Sequence, residues 1–167
     1  MRCRKWCVSL IVFTFILSSL SNVSSAKTIS MHAGIGDTKS AFNKAYGKGK
    51  GDSEMMSYKH NYILPMFLDK AAYNILLQFE STSSSRRSKK NAIKAYKYMI
   101  PTDSKKVKQY YDNGGERLII IYQSNRLAKS VKKAVFLGDK PGSFMAILHR
   151  DHKGYFSVTL ATGNSNP

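Results

Sequence analysis

The sequence predicts an α+β domain: a mostly antiparallel β-sheet with three to four short helices packed on one face, following a cleaved signal peptide. Three observations carry that reading. Residues 58–80 alternate with the period of two that suits strands, and the apolar stretches 144–148 and 155–160 flank a polar turn as a hairpin does. Other segments repeat their apolar residues every three or four positions, as helices do. Two pairs of these strands are joined by short turns, at Asp69-Lys70 and at residues 150–154, which favours antiparallel pairing. No period of 20 to 50 residues recurs, so solenoids and propellers are excluded.

Taken in order, residues 1–26 read as a secretory signal. Arg2, Arg4 and Lys5 precede an apolar run from Cys7 to Leu20, and Ser24-Ser25-Ala26 closes it before Lys27. The run is too short to span a ~30 Å hydrocarbon layer comfortably, and no stop-transfer segment follows, so no transmembrane segment is expected in the mature chain. Both cysteines, Cys3 and Cys7, fall inside this segment. A mature chain without cysteine cannot be stapled by disulfides, which favours a bacterial source.

Residues 27–167 are then one exported domain, with 27–35 and 162–167 expected to be flexible. Asp37 is placed to cap a helix carrying Ala41, Phe42, Ala45 and Tyr46 on one face, and Gly47 ends it. The glycine-rich stretch 48–53 reads as a mobile loop. It lacks the spacing of a phosphate-binding P-loop. Alternation at Tyr62, Leu64, Met66 and Leu68, then at Ala71, Tyr73, Ile75, Leu77 and Phe79, predicts a hairpin across Asp69-Lys70, with Pro65 confining its first strand to a sheet edge or a bulge.

Ser81–Ser85 is a loop, and Ser88 caps a second helix with an apolar face of Ala92, Ile93, Tyr96, Met99 and Ile100, stopped before Pro101. A third helix is expected from about Thr102 through Val107, Tyr110 and Tyr111 to the Asn113-Gly114-Gly115 stop, with Lys105, Lys106 and Lys108 outward. Leu118 to Ile121 is short and β-branched, hence a buried central strand. Ser124 opens a short helix containing Leu127, Ala128 and Val131. The chain closes with a hairpin across residues 150–154.

The charge is lopsided. The whole chain carries +17, and removing the three signal cations leaves +14. Such an excess concentrates a protein on polyanions, here a wall phosphate polymer, nucleic acid or an anionic lipid surface, although it also serves solubility. Arg86, Arg87, Lys90, Lys94 and Lys97 are read as one basic helix face and the leading contact, followed by Lys105, Lys106 and Lys108. Tyr98 lies off the apolar stripe and is expected to be exposed.

Catalytic signals are thin. His149, Asp151 and His152 cluster near a turn, but a closed zinc site normally takes four ligands and no helical His-x-x-x-His spacing exists, so no metal site and no cofactor is assigned. No Gly-x-Ser-x-Gly elbow is present. The expected function is therefore a small secreted, non-enzymatic binding protein, extracellular or retained at the cell wall, that engages an anionic polymer or a partner protein. The competing class is a secreted hydrolase, in its sharpest form a basic nuclease using His149 or His152 with one of the glutamates Glu54, Glu80 and Glu116.

Overall fold

The structure, a computed structural model, describes residues 28–165. The expected signal segment, with both cysteines, lies outside the described residues, as do the last two positions. Six strands form one antiparallel sheet in the order β3-β4-β8-β7-β6-β5: β3 Ile63–Leu68, β4 Ala71–Gln78, β5 Lys105–Asp112, β6 Arg117–Gln123, β7 Ser143–Asp151 and β8 Gly154–Thr162. Two short strands, β1 Lys50–Gly51 and β2 Met56–Ser57, make a small hairpin of their own, the first of them inside the stretch 48–53 read as a mobile loop. Three helices complete the domain: α1 Lys39–Tyr46, α2 Lys89–Lys97 and α3 Asn125–Ser130. No helix of the described residues is long and apolar enough to cross a membrane.

Alternation along the strands sorts their side chains into two layers. Toward the helices point Ile75, Leu77, Leu118, Ile120, Phe144, Leu148, Val158 and Leu160, which pack with Phe42 of α1, Ala92 and Tyr96 of α2 and Leu127 of α3. Burying one such side chain is worth about 1.5–3 kcal/mol, so this layer dominates the stability. On the opposite face Ile119, Ile121, Met145 and Ile147 form a smaller apolar cluster with Tyr110 and Ala161 beside it. Strand β6 is therefore buried on both faces, as its unbroken Leu-Ile-Ile-Ile run requires.

The turns follow their chemistry. Asp69 and Lys70 both take positive φ (50° and 70°), the geometry that joins two right-twisted strands through a two-residue turn. Pro65 lies on the edge strand β3, where its missing N–H leaves no gap in an interior ladder, and the register shifts next to it, between Met66 and Phe67. Ser88 accepts the Asn91 N–H and Ser124 accepts the Leu127 N–H, each capping a helix.

Three expectations require correction. The helix over 102–111 is instead strand β5. Val107, Tyr110 and Tyr111 suit either periodicity, but their β-branched and aromatic side chains favour a strand, and β6 offers a ladder from Lys105↔Gln123 to Asp112↔Arg117 that is interrupted only at Val107. Asn113-Gly114-Gly115, read as a helix stop, is the turn between β5 and β6. The cap of α1 is Thr38, whose hydroxyl accepts the Ala41 N–H, and not Asp37.

Asp37 is buried and accepts the N–H of Ile29 (2.8 Å), the N–H of Gly34 (2.9 Å) and the Ser30 hydroxyl, and burial pushes its carboxyl above the ordinary range despite those bonds. It closes the segment 28–37. Residues 28–35, the lead-in expected to be flexible, lie against 98–102: the Ile35 N–H donates to Met99 at 2.9 Å and the His32 N–H to Tyr98 at 3.0 Å. A β-carbon on Gly34 would stand 1.8 Å from the Met99 carbonyl oxygen, so only glycine permits this approach.

Candidate functional site

The eight cations singled out from the sequence occupy three settings. Lys90, Lys94 and Lys97 are exposed on α2, and their spacing gathers them within a narrow arc of its solvent side. Arg86 and Arg87 precede the helix, which begins at Lys89, so they do not extend that strip. Lys105, Lys106 and Lys108 stand on β5, an edge strand whose outer side carries no partner among the described residues. Lys106 is opposite Tyr122, whose hydroxyl meets that of Tyr96 of α2 at 2.8 Å, so Lys106 shares the helix-bearing face. A register shift at Val107 turns Lys108 to the other face, opposite Ile121, with its Nζ 4.8 Å from the Tyr110 ring.

Helix α2 and strand β5 are neighbours. The Nζ of Lys89 reaches the Tyr111 hydroxyl at 3.5 Å and sits 5.5 Å from its ring centre, while Lys97 and Ser104 line one shallow cleft at the other end of the helix. Helix α2 and the edge of the sheet therefore border one surface, to which β5 contributes Lys106, whereas Lys105, opposite Gln123, and Lys108, opposite Ile121, line the same edge from the other face. Hydrogen bonding by Tyr155 and Lys89 draws the Tyr111 hydroxyl below the ordinary tyrosine range, although partial burial opposes it.

The two arginines diverge. Arg86 spans Glu80 at 2.9 Å and Asp151 at 2.7 Å and covers the Phe156 ring, so its charge is spent within the protein. Arg87 exchanges both backbone hydrogen bonds with Tyr155, each 2.9 Å, and lays its guanidinium 4.0 Å from the centre of Phe79 and 5.5 Å from that of Tyr62. That aromatic seat is absent from the sequence reading. The one clue was a pair of aromatics, Tyr62 and Phe79, at facing ends of a predicted hairpin.

The histidine cluster is dispersed. His149 lies on β7 facing away from the helices, opposite Arg117 and Ser157, with its Nε2 3.4 Å from the Thr159 hydroxyl. Burial first, and the Arg117 charge second, hold its pKa below the usual histidine value. Asp151 is turned into the β7–β8 turn, accepting the N–H groups of Lys153 and Gly154; desolvation pushes its carboxyl up, but Arg86 and these amides outweigh that and hold it low. His152 is exposed at the tip. Glu80 is bound by Arg86, which also covers Phe156, and the Phe156 ring centre is 6.2 Å from that of His149. No group of three His, Cys, Asp or Glu side chains able to hold a metal ion occurs among the described residues.

Fold and site together define a small α+β domain with a six-stranded antiparallel sheet, a helix layer on one face and a lysine-lined edge. No protein-family model, no curated protein and no solved structure matches the chain.

Proposed function

We propose that this is an exported, non-enzymatic binding protein that holds an anionic polymer along the surface shared by α2 and β5. The carrying observation is the contact of Lys89 with Tyr111, which brings α2, with Lys90, Lys94 and Lys97, to the sheet edge at β5, where Lys106 shares the helix-bearing face and Lys105 and Lys108 line the same edge from the other face. Cations spaced along a helix and a strand suit a ligand with repeated charge, whereas a small anion would engage only one or two of them. Arg86 is left out of this surface because two carboxylates already neutralise it. Glu80 and Asp151 are both paired with Arg86, and His149 pairs with neither, which gives no comparable support to the nuclease reading.

The test is affinity against salt, on heparin and on duplex DNA. Binding through lysines releases condensed counterions, so log K is expected to fall linearly with log salt, and each lost phosphate contact reduces the slope by about 0.9 on duplex DNA. Reversing Lys90, Lys94 and Lys97 to Glu, and separately Lys105, Lys106 and Lys108, is expected to weaken retention in both variants with the folded spectrum intact. Retention unchanged in both, or parental retention indifferent to salt, overturns the proposal.

A further inference from the structure

Beside the basic surface, where the 82–88 loop enters α2, lies a cleft of about 470 Å³ whose lining includes Ser84, Arg87, Ser88, Asn91, Lys94 and Tyr98, together with Ala95 and with Arg86, already paired to Glu80 and Asp151. No acidic residue lines it. Its cations differ from the scattered surface lysines. Arg87 is clamped by two backbone bonds to Tyr155 and stacked on Phe79, so its guanidinium is positioned before any ligand arrives. Gly154 is the complement of that clamp, because a β-carbon there would stand 2.9 Å from the Arg87 carbonyl oxygen.

The donors of this cleft are largely unused. The only side-chain hydrogen bond of Arg87 among the described residues is a long one, 3.4 Å, to the Tyr62 hydroxyl; its shielded Nε makes none, and no carboxylate pairs with it. Ser88 spends its oxygen as acceptor for the Asn91 N–H, which leaves its O–H available. The volume falls in the ~300–1,000 Å³ range of small-ligand sites and is more than a bare oxyanion needs. A rigid arginine with a lysine across from it suits one doubly charged group, since guanidinium and phosphate match in geometry. Besides Ala95 and Tyr98 the remaining lining is hydroxyl and amide, from Ser84, Ser88 and Asn91, which suits a polyol. Tyr98 is the one aromatic, and it stands at the exposed rim, 5.6 Å from His32, where it can flank one face of a ring but offers no second wall for a base.

We propose that the cleft binds the phosphorylated sugar unit of an anionic glycopolymer, Arg87 and Lys94 holding the phosphate and Ser84, Ser88 and Asn91 the sugar hydroxyls. This rests on the reading of the protein as a binder of anionic polymers and supplies the chemical class of that polymer. Lys94 belongs to both the strip and the cleft, so a chain anchored here would run directly onto Lys90 and Lys97.

The probes are glucose 1-phosphate, glucose, inorganic phosphate and thymidine 5′-phosphate, titrated into the purified protein and followed by amide NMR. Glucose 1-phosphate is expected to bind most tightly and to shift the resonances of Asn91, Lys94 and Tyr98. The variants Lys94→Gln and Asn91→Ala, both at exposed helix positions, are each expected to weaken it about tenfold or more, the loss of one hydrogen bond to a charged or closely held group, with an unchanged thermal midpoint. Tighter binding of thymidine 5′-phosphate than of glucose 1-phosphate overturns the proposal in favour of a nucleic-acid ligand, and so does binding of glucose 1-phosphate that both variants leave unchanged. Absence of glucose 1-phosphate binding in a protein whose heparin retention still falls with salt overturns the cleft proposal alone. Retention indifferent to salt removes the polymer reading beneath it.

Discussion

The two edges of the sheet solve the same problem by different means. Both β3 and β5 expose a row of backbone groups that could template pairing with another chain, and both carry a register shift that interrupts the row. At β3 the protection is steric. Pro65 has no N–H to offer, the Phe67 N–H is taken by the Glu54 carbonyl at 2.7 Å, and Met55 bridges Met66, so the small β1–β2 hairpin lies along part of the strand. At β5 nothing of the described chain covers the outer side, and Lys105 to Gln109 are all exposed, Val107 to 66%. Its guard is charge. A covered edge excludes every partner alike, whereas a lysine-lined edge repels another basic strand and attracts an anion. The second device leaves a surface open to a selected class of ligand.

The comparison breaks most completely if the sheet itself is lost. Ile120 is 2% exposed in β6, between β5 and β7, and Ile120→Asp would bury a charge with no partner, costing several kcal/mol against the ~5–15 kcal/mol that holds a typical domain. The variant is expected to lose its cooperative thermal transition, read by circular dichroism. An unchanged midpoint would contradict the assignment of β6 to the core.

A sharper break separates the two edges. Replacing Lys105, Lys106 and Lys108 by Thr keeps strand propensity while removing the charge, so the fold is expected to survive with a change of at most about 1 kcal/mol. Self-association by analytical ultracentrifugation is expected to rise above that of the parent. Pro65→Val restores an N–H at the sterically guarded edge and is expected to produce much less association, because the neighbouring positions are already engaged by Glu54 and Met55. Equal association from the two variants would show that charge is not what guards β5.

The smallest expected effect concerns His149, near the end of β7 and away from either edge. Its folded-state pKa is lowered, so the unfolded chain binds a proton more readily, and stability falls as pH drops through the ordinary histidine value of about 6.5. His149→Gln is expected to flatten the dependence of denaturant stability on pH between ~7 and ~5 while leaving stability at ~8 nearly unchanged. An identical pH profile in parent and variant would show that the folded protein does not penalise the imidazolium. Neither the arginine seat nor the lysine edge depends on that proton.

Much of the fold was legible where a segment's residues had one structural use. Leu118–Ile121 is too β-branched and too short for a buried helix, Pro65 cannot donate within a ladder, and Ser88 and Ser124 precede helical runs with a free hydroxyl, so strand, edge and caps followed from local chemistry. Residues 102–111 were not legible in this way, because apolar side chains at 107, 110 and 111 satisfy a helical stripe and a half-exposed strand equally. The exposed edge of β6 decided between them by offering backbone partners that a local pattern does not record. Asp37 was misread for a similar reason: a carboxylate before a helix looks like a cap until the segment 28–35 folds back and supplies closer donors.

The site divides along the same line. Local sequence determined that the chain is strongly basic, that Lys90, Lys94 and Lys97 share one side of a helix, and that Tyr98 lies off its buried stripe, since each follows from composition or from the helical period. Only the tertiary structure decided that Arg86 is neutralised by Glu80 and Asp151, that Arg87 is fixed on Phe79 beside an acid-free cleft, and that Lys106 of β5 shares the face of the sheet that carries α2. Those relations join residues as far apart as Arg86 and Asp151, which meet only because the β7–β8 turn returns to the start of α2, and no spacing within a single element encodes that meeting.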